Sequence, residues 1–404
     1  MKKSMAILYL LVSFCLLSTL LATGGPAMAK EQILIGAHLP LSGSGASMGA
    51  EQKWAYNLAV ADINKAGGIY VKEYDKKLPV KLIIMDDESE PMKAASAVAK
   101  LIKQKKVDLI LSGQRGAYGV IPGMITAEKF KKYYHGTVIW FPDFLKNNFQ
   151  WCTVYFFDIG QGATIPYEVW NSLPEDQRPK KPAIFMEDTT DGSQMGGGLT
   201  ALAGKYGYTI ALRETMPLGG KDFSKSILRA KSKGVDAILC MANAPEAITL
   251  LKQMKKLNLN VKFFQGWKGT WQTQFQKTMG KDAEGVFCDG FWSMDFPFPG
   301  AKELGKRHYA QYKRNSVSIG LYYALCQILW QAIEKSGSLD GAKVRQAVLD
   351  NEFDTVMGKV DYNEKGVAVF PLANFQWKDG KRVVVYPFDR ASAKAVPMKP
   401  WNQR

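Results

Sequence analysis

The chain has 404 residues, 53 of them Lys or Arg and 37 Asp or Glu, for a formal net charge of +16 with 47% apolar side chains. That apolar content excludes disorder as the main state, and the length exceeds the ~250–300 residues at which one hydrophobic core stops growing, so two domains are expected. Five cysteines and three histidines, scattered without short paired spacings, exclude a structural zinc site or a disulfide framework as the organising element.

Lys2 and Lys3 precede an uncharged, mostly apolar run from Met5 to Ala22, and Ala27-Met28-Ala29 supplies the small residues a signal peptidase reads. Residues 1–29 are therefore expected to be a secretory signal, cleaved before Lys30, which lowers the net charge to +14 by removing two lysines. Cys15 lies inside the apolar run after Phe14, where a lipoprotein signal would carry a small residue, so it reads as part of the signal. The next most apolar stretch, Leu321–Ile333, is broken by Gln327 and Gln331 and ended by Glu334, which suits a buried helix rather than a membrane span. An extracytoplasmic destination follows. Cys152, Cys240, Cys288 and Cys326 each sit in an apolar segment and are expected to be buried free thiols.

From Ile33 onward, short β-branched runs alternate with helical periodicity. Ile33–Leu39 reads as a strand. A helix with Trp54, Leu58 and Ala61 on one face follows and ends at Gly67-Gly68. Val80–Met85, Val107–Leu111 and Thr137–Phe141 read as further strands, and Pro91 starts a helix with Ala94, Val98 and Leu101 on its apolar face. The alternation restarts near Val154, with strands at Ala183–Glu187, Tyr208–Met216, Val235–Met241, Val261–Phe264 and Gly285–Asp289. Helices between them carry Phe223, Ile227 and Ala230, then Ile248 and Leu251. After Pro297 and Pro299 come helices at Lys302–Arg314, Ile319–Lys335 and Leu339–Asp350. A β-rich tail follows, Phe370–Trp377 and Arg382–Pro387, joined by the turn Lys378-Asp379-Gly380. The pattern predicts an α/β protein of two similar, doubly wound parallel-sheet lobes between which the chain crosses more than once.

No His-Glu-x-x-His is present, and His38, His135 and His308 share no metal spacing. The Gly-rich stretch Asp191–Gly198 lacks the order of a nucleotide cradle and reads as an unhindered helix N-terminus. Asp86-Asp87-Glu88 lies between a strand and a Pro-started helix, where carboxylates cap. The lysine clusters lack interleaved aromatics and read as solvated faces, not as a nucleic-acid surface.

Open α/β sheets bind ligands beyond the carboxyl ends of their strands. Those segments here are Leu41–Gly49, Ser112–Tyr118, Trp140–Asp143, Asp188–Gly192, Ala242–Glu246 and Gly266–Gly269, which combine glycines, hydroxyls and large aromatics. The mixture suits a small organic molecule, with backbone donors for a carboxylate and rings for an apolar body.

An ordered set of segments spans nearly the whole chain after the signal: Ile35-Gly36 to Pro40-Leu41-Ser42-Gly43, Asp62–Gly68, Asp86-Asp87, Val107-Asp108 with Gly113, Asp188 with Asp191-Gly192, Asp222-Phe223-Ser224, Pro245-Glu246, Ala332–Gly337 and Gly358–Gly366. With these the sequence resembles the periplasmic solute-binding proteins of branched-chain (hydrophobic) amino-acid ABC importers. The resemblance implies a type I periplasmic-binding fold with a three-crossover hinge. Lobe one is then expected at residues 30–153 and 291–365, and lobe two at 154–290 and 366–404. It also implies a carboxylate held by the loop of Gln114, Arg115, Gly116, Ala117 and Tyr118 and by the segment near Trp140, and an ammonium met by acidic groups of lobe two, for which Asp188 and Asp191 are candidates. Met48, Asn243, Trp267, Lys268 and Trp292 complete the expected ligand-binding set.

The sequence departs from the family pattern where Gly266-Trp267-Lys268 stands in place of Gly-Pro-Glu. A lysine there would repel an ammonium and attract an anion, which argues for an aromatic or other organic acid over an α-amino acid unless Asp188 or Asp191 supplies the countercharge. The expectation is a monomeric, non-enzymatic receptor without cofactor or metal, one that hands a small carboxylate-bearing solute to a membrane permease. A sensory protein presenting the solute to a chemoreceptor or kinase is the alternative.

Overall fold

The computed structural model describes residues 30–113 and 116–404; the expected signal, Gln114 and Arg115 lie outside them. Among the described residues no helix is long and apolar enough to cross a membrane.

Two sheets organise the chain. The first has six parallel strands in the order Val367–Val369, Cys152–Phe156, Tyr134–Gly136, Leu109–Leu111, Ile33–Leu39 and Val80–Asp86. The second has seven, in the order Lys381–Tyr386, Ala373–Lys378, Phe287–Gly290, Phe263–Lys268, Ala237–Ala242, Pro182–Glu187 and Leu212–Met216; the first two of these run antiparallel to their neighbours. Helices cover both faces, so the central strand Ala237–Ala242 is apolar along its length instead of alternating, as is Ile33–Leu39 apart from His38.

The helix Pro91–Lys103 buries Ala94, Val98 and Leu101 as its periodicity predicts. The helix Ala46–Lys65 does not follow its expected face: Gln52, Ala55, Tyr56 and Ala59 are buried, and Trp54 instead meets His308 edge-on at 5.0 Å. It is clasped between the first sheet and the helices Ala301–Tyr312 and Ile319–Ser336, so it uses more than one face. Ile319–Ser336 packs against this helix and against Gly341–Asp350, and so belongs to lobe one. The four cysteines from Cys152 to Cys326 are buried and unpaired with one another.

Most strand ends lie a few residues from their expected positions, and three differences bear on the lobes. Tyr134–Gly136 is the strand expected at Thr137–Phe141, and Phe141–Leu145 is helical because Pro142 sits in its first turn. Cys152–Phe156 was not expected as a strand, yet it pairs with Tyr134–Gly136, so Val154–Phe156 belongs to the first sheet and not to lobe two. Val367–Val369 pairs with it as well, so the last crossing falls after residue 369 and not at 366. The interlobe crossings are therefore near Phe157, Phe291 and Phe370. Each contributes a phenylalanine to one ring cluster: Phe157 and Phe291 lie 5.9 Å apart, and Phe291 and Phe370 5.8 Å.

Candidate functional site

The carboxyl ends of both sheets face a shared cleft holding about 580 Å³ of non-atom space, part of it open to solvent. Lobe one contributes Met48 from the first turn of Ala46–Lys65, Gly116 and Tyr118 at the head of the helix Ala117–Lys129, the loop Val138-Ile139-Trp140, and Phe156. Lobe two contributes Asp191, Met241, Asn243, Trp267, Lys268, Trp271 and Asp289. Phe157 and Phe291 of the crossings close the back. Trp140 stands edge-on to Phe157 at 5.1 Å, and Trp271 edge-on to Phe291 at 5.6 Å, so the apolar wall is one connected set of rings.

Besides Gly116, two lining residues hold positive-φ backbone, Val138 at φ +56° and Lys268 at φ +53°. For a β-branched residue such as Val138 this is a true outlier, costing about 1–3 kcal/mol, and such strain clusters at ligand clamps.

Lys268 ends the strand Phe263–Lys268 instead of following it. Its Nζ donates to Glu187 Oε1 at 2.5 Å and to Asp191 Oδ2 at 3.0 Å, with one-fifth of the side chain exposed. Burial works against its charge, but Asp191 and then Glu187 outweigh that and raise its pKa. Glu187 also accepts from the Thr189 hydroxyl at 2.9 Å. Burial pushes the Asp289 carboxyl well up, the Lys268 charge opposing only in part. One cation and two carboxylates leave this wall with a net charge of −1. Contrary to the expectation from the sequence, Lys268 does not present a free positive charge against an α-amino acid: it is already neutralised within lobe two.

Several buried polar atoms here have no hydrogen-bond partner among the described residues: Glu187 Oε2, Asp191 Oδ1, Asp289 Oδ1 and, from lobe one, Trp140 Nε1. Asp191 and Asp289 on one wall and Trp140 on the other line the cleft, and their unpaired atoms are groups that a ligand would satisfy, because an unpaired buried polar group is costly. Direct bonds across the cleft join the lobes as well, Ser47 Oγ to Gln272 Oε1 at 2.6 Å and Gln194 Nε2 to Asp143 Oδ2 at 3.0 Å.

Of the expected site residues, Met48, Gly116, Tyr118, Trp140, Asp191, Asn243, Trp267 and Lys268 line the cleft. Ala117 begins the helix beside them, while Gln114 and Arg115 lie outside the described residues. Asp188 does not line it: it is exposed, past the strand end, with its N–H bound to the Met216 carbonyl. Trp292 is 1% exposed, donates from Nε1 to the Val356 carbonyl at 3.0 Å and packs on Gly320, so it is core. Val138, Ile139, Phe156, Phe157, Met241, Trp271, Asp289 and Phe291 line the cleft from outside the expected set, and Glu187 acts on it through Lys268. Glu187 and Asp289 are legible as the last residues of predicted strands, whereas Phe156 and Phe157 belong with the strand Cys152–Phe156 that the pattern does not predict.

A family model described as periplasmic binding protein matches residues 32–382. The chain belongs to that family. It is 25% identical over 376 residues to the Leu/Ile/Val-binding protein homolog 1 of Brucella suis, covering 90% of this chain and 95% of the relative. It is 24% identical to a leucine-, isoleucine-, valine-, threonine- and alanine-binding protein of Pseudomonas aeruginosa, covering 89% and 94%. Among solved structures, the substrate-binding protein LivJ of Streptococcus pneumoniae in complex with isoleucine superposes with a TM-score of 0.76 at 20% identity, over 87% of this chain and 98% of that one. This periplasmic binding protein thus has the type I fold, and its family binds solutes instead of transforming them.

Proposed function

We propose that this protein captures a hydrophobic α-amino acid of the leucine, isoleucine or valine type between its lobes and delivers it to the permease of an ABC importer, after secretion directed by residues 1–29. The observation that carries the reading is the polarity of the cleft. The net negative group of Glu187, Lys268 and Asp191 meets the head of the helix Ala117–Lys129, where Gly116 lies against Asp191, while Trp140 and the other aromatic rings line the rest of the cleft. A helix N-terminus and an indole N–H favour a carboxylate, the acidic wall favours an ammonium, and the rings favour an aliphatic side chain. The names of the relatives point to the same ligands.

Closure is favoured because the ligand touches both walls only when the lobes meet. Titration calorimetry with leucine and with 4-methyl-2-oxopentanoate, which has the same chain without the ammonium, tests the reading. Leucine is expected to bind at least about 100-fold more tightly, or nearly 3 kcal/mol. Tighter binding of the oxo acid would restore the organic-acid reading.

A further inference from the structure

A second cavity runs along the seam between the lobes. Lys306, Lys313 and Arg314 line it from lobe one, and Lys277, Lys381 and Arg382 from lobe two. Asp379 is the one carboxylate among its described lining residues, and Lys306 has Glu303 at 3.5 Å on its own helix. Aromatic rings support both guanidinium groups: Arg382 lies 5.1 Å from the Trp377 ring centre and Arg314 5.2 Å from that of Tyr312. Arg382 donates to the carbonyls of Trp271 in lobe two and Asn315 in lobe one, so it is anchored across the seam. Arg314 Nε is buried with no hydrogen-bond partner among the described residues.

The groove neighbours the ligand cleft, with a third small cavity between them. This cavity, lined by Ser47, Glu51 and Gln272, shares Met48 and Trp271 with the cleft, and Lys277 and Arg314 with the groove. Glu51 is already engaged there by the hydroxyls of Ser316 and Ser318.

Closing the lobes brings three cations from each side around one space, and like charges so placed repel. Burial, with the Arg314 charge adding to it, holds the Arg382 pKa below its ordinary value. We propose that the groove is a binding site for a small multivalent anion, a polyphosphate or polycarboxylate, that bridges the lobes and favours their closed state. The coupling to solute binding rests on the closing-cleft reading above; the anion site itself does not. Linkage requires that an anion which tightens amino-acid binding be tightened by the amino acid to the same degree.

Calorimetric titrations of the mature chain with pyrophosphate and, separately, with citrate, at ionic strength held constant by sodium chloride, test the proposal. One site per chain is expected for at least one of them, and saturation with that anion should lower the leucine Kd about fivefold or more. The anion that binds identifies the class. The triple variant Lys277→Gln, Arg314→Gln, Lys381→Gln should lose both the isotherm and the coupling while still binding leucine, and Lys277→Gln alone should weaken the anion at least about threefold. No anion heat above the sodium chloride control, or an isotherm that survives the triple variant, would overturn the site. Anion binding without any leucine binding would leave the groove standing and overturn the amino-acid reading instead.

Discussion

Gly116 of lobe one lies directly against Asp191 of lobe two: its φ is +68°, and a Cβ placed on it would overlap the Asp191 Oδ2 that accepts from Lys268. The loop ahead of the helix Ala117–Lys129 therefore meets the acidic wall without an intervening side chain. Gly116→Ala should oppose closure through the overlap, while the strain of a side chain on this glycine-favouring backbone, about 1 kcal/mol, falls on folding. The expected outcome is a leucine Kd raised about tenfold or more with a smaller loss of unfolding free energy. Equal affinities by calorimetry would show that this contact opens in the liganded state.

Lys268→Met should act on stability before specificity. It leaves Glu187 and Asp191 buried side by side without their cation, a loss of about 1–3 kcal/mol once the partial exposure of Lys268 is allowed for. Because the Lys268 pKa is raised on folding, its contribution is complete below the unfolded value of about 10.4 and fades only as pH rises through the folded value. The wild-type and variant urea curves should therefore differ by a constant amount from pH 6 to 9. Intact stability with leucine binding abolished would contradict this.

His135 provides an acid-sensitive element in lobe one. It is fully buried beside the Tyr133 and Thr153 hydroxyls, each 3.0 Å from its Nδ1, and burial lowers its pKa to about 3. The unfolded chain binds its proton near pH 6.5 and the folded chain does not, so stability falls as pH drops below that value. Between pH 7 and pH 5 the wild type should lose about 2 kcal/mol more than His135→Gln, measured by urea unfolding at each pH. Parallel pH profiles would show that the folded protein admits the charge.

Trp292→Phe separates core from cleft. Removing the indole N–H leaves the Val356 carbonyl without that donor, for an expected cost of about 1–3 kcal/mol in unfolding free energy. Leucine affinity should stay within about twofold, since the side chain packs on Gly320 in lobe one. A larger change in Kd would return Trp292 to the ligand site.

Trp140 and Trp292 illustrate how far the site could be read in advance. Both are tryptophans close to a strand end, and nothing local distinguishes the one that reaches the cleft from the one that caps a helix contact. Asp188 and Glu187 differ in a similar way. They are adjacent carboxylates at one strand end, and a single step of the chain separates the exposed residue from the one turned onto Lys268.

The alternation of β-branched runs with helical periodicity was sufficient by itself for two parallel-sheet lobes, and the positions of the strand ends indicated six loops around one cleft, because both signals depend on spacings of a few residues. The charge of that cleft depended on the tertiary structure. Lys268 lies beside Ala242, and Ala242 follows Met241, which pairs with Met186, the neighbour of Glu187. Lysine and glutamate thus end strands separated by one intervening strand, about 9.6 Å apart at the backbone, and their long side chains meet there. Their positions are 81 apart in the chain. A lysine read alone is a positive charge facing a ligand; placed by sheet register between two carboxylates, it leaves that wall negative, because pairing depends on distances that only the packed strands set.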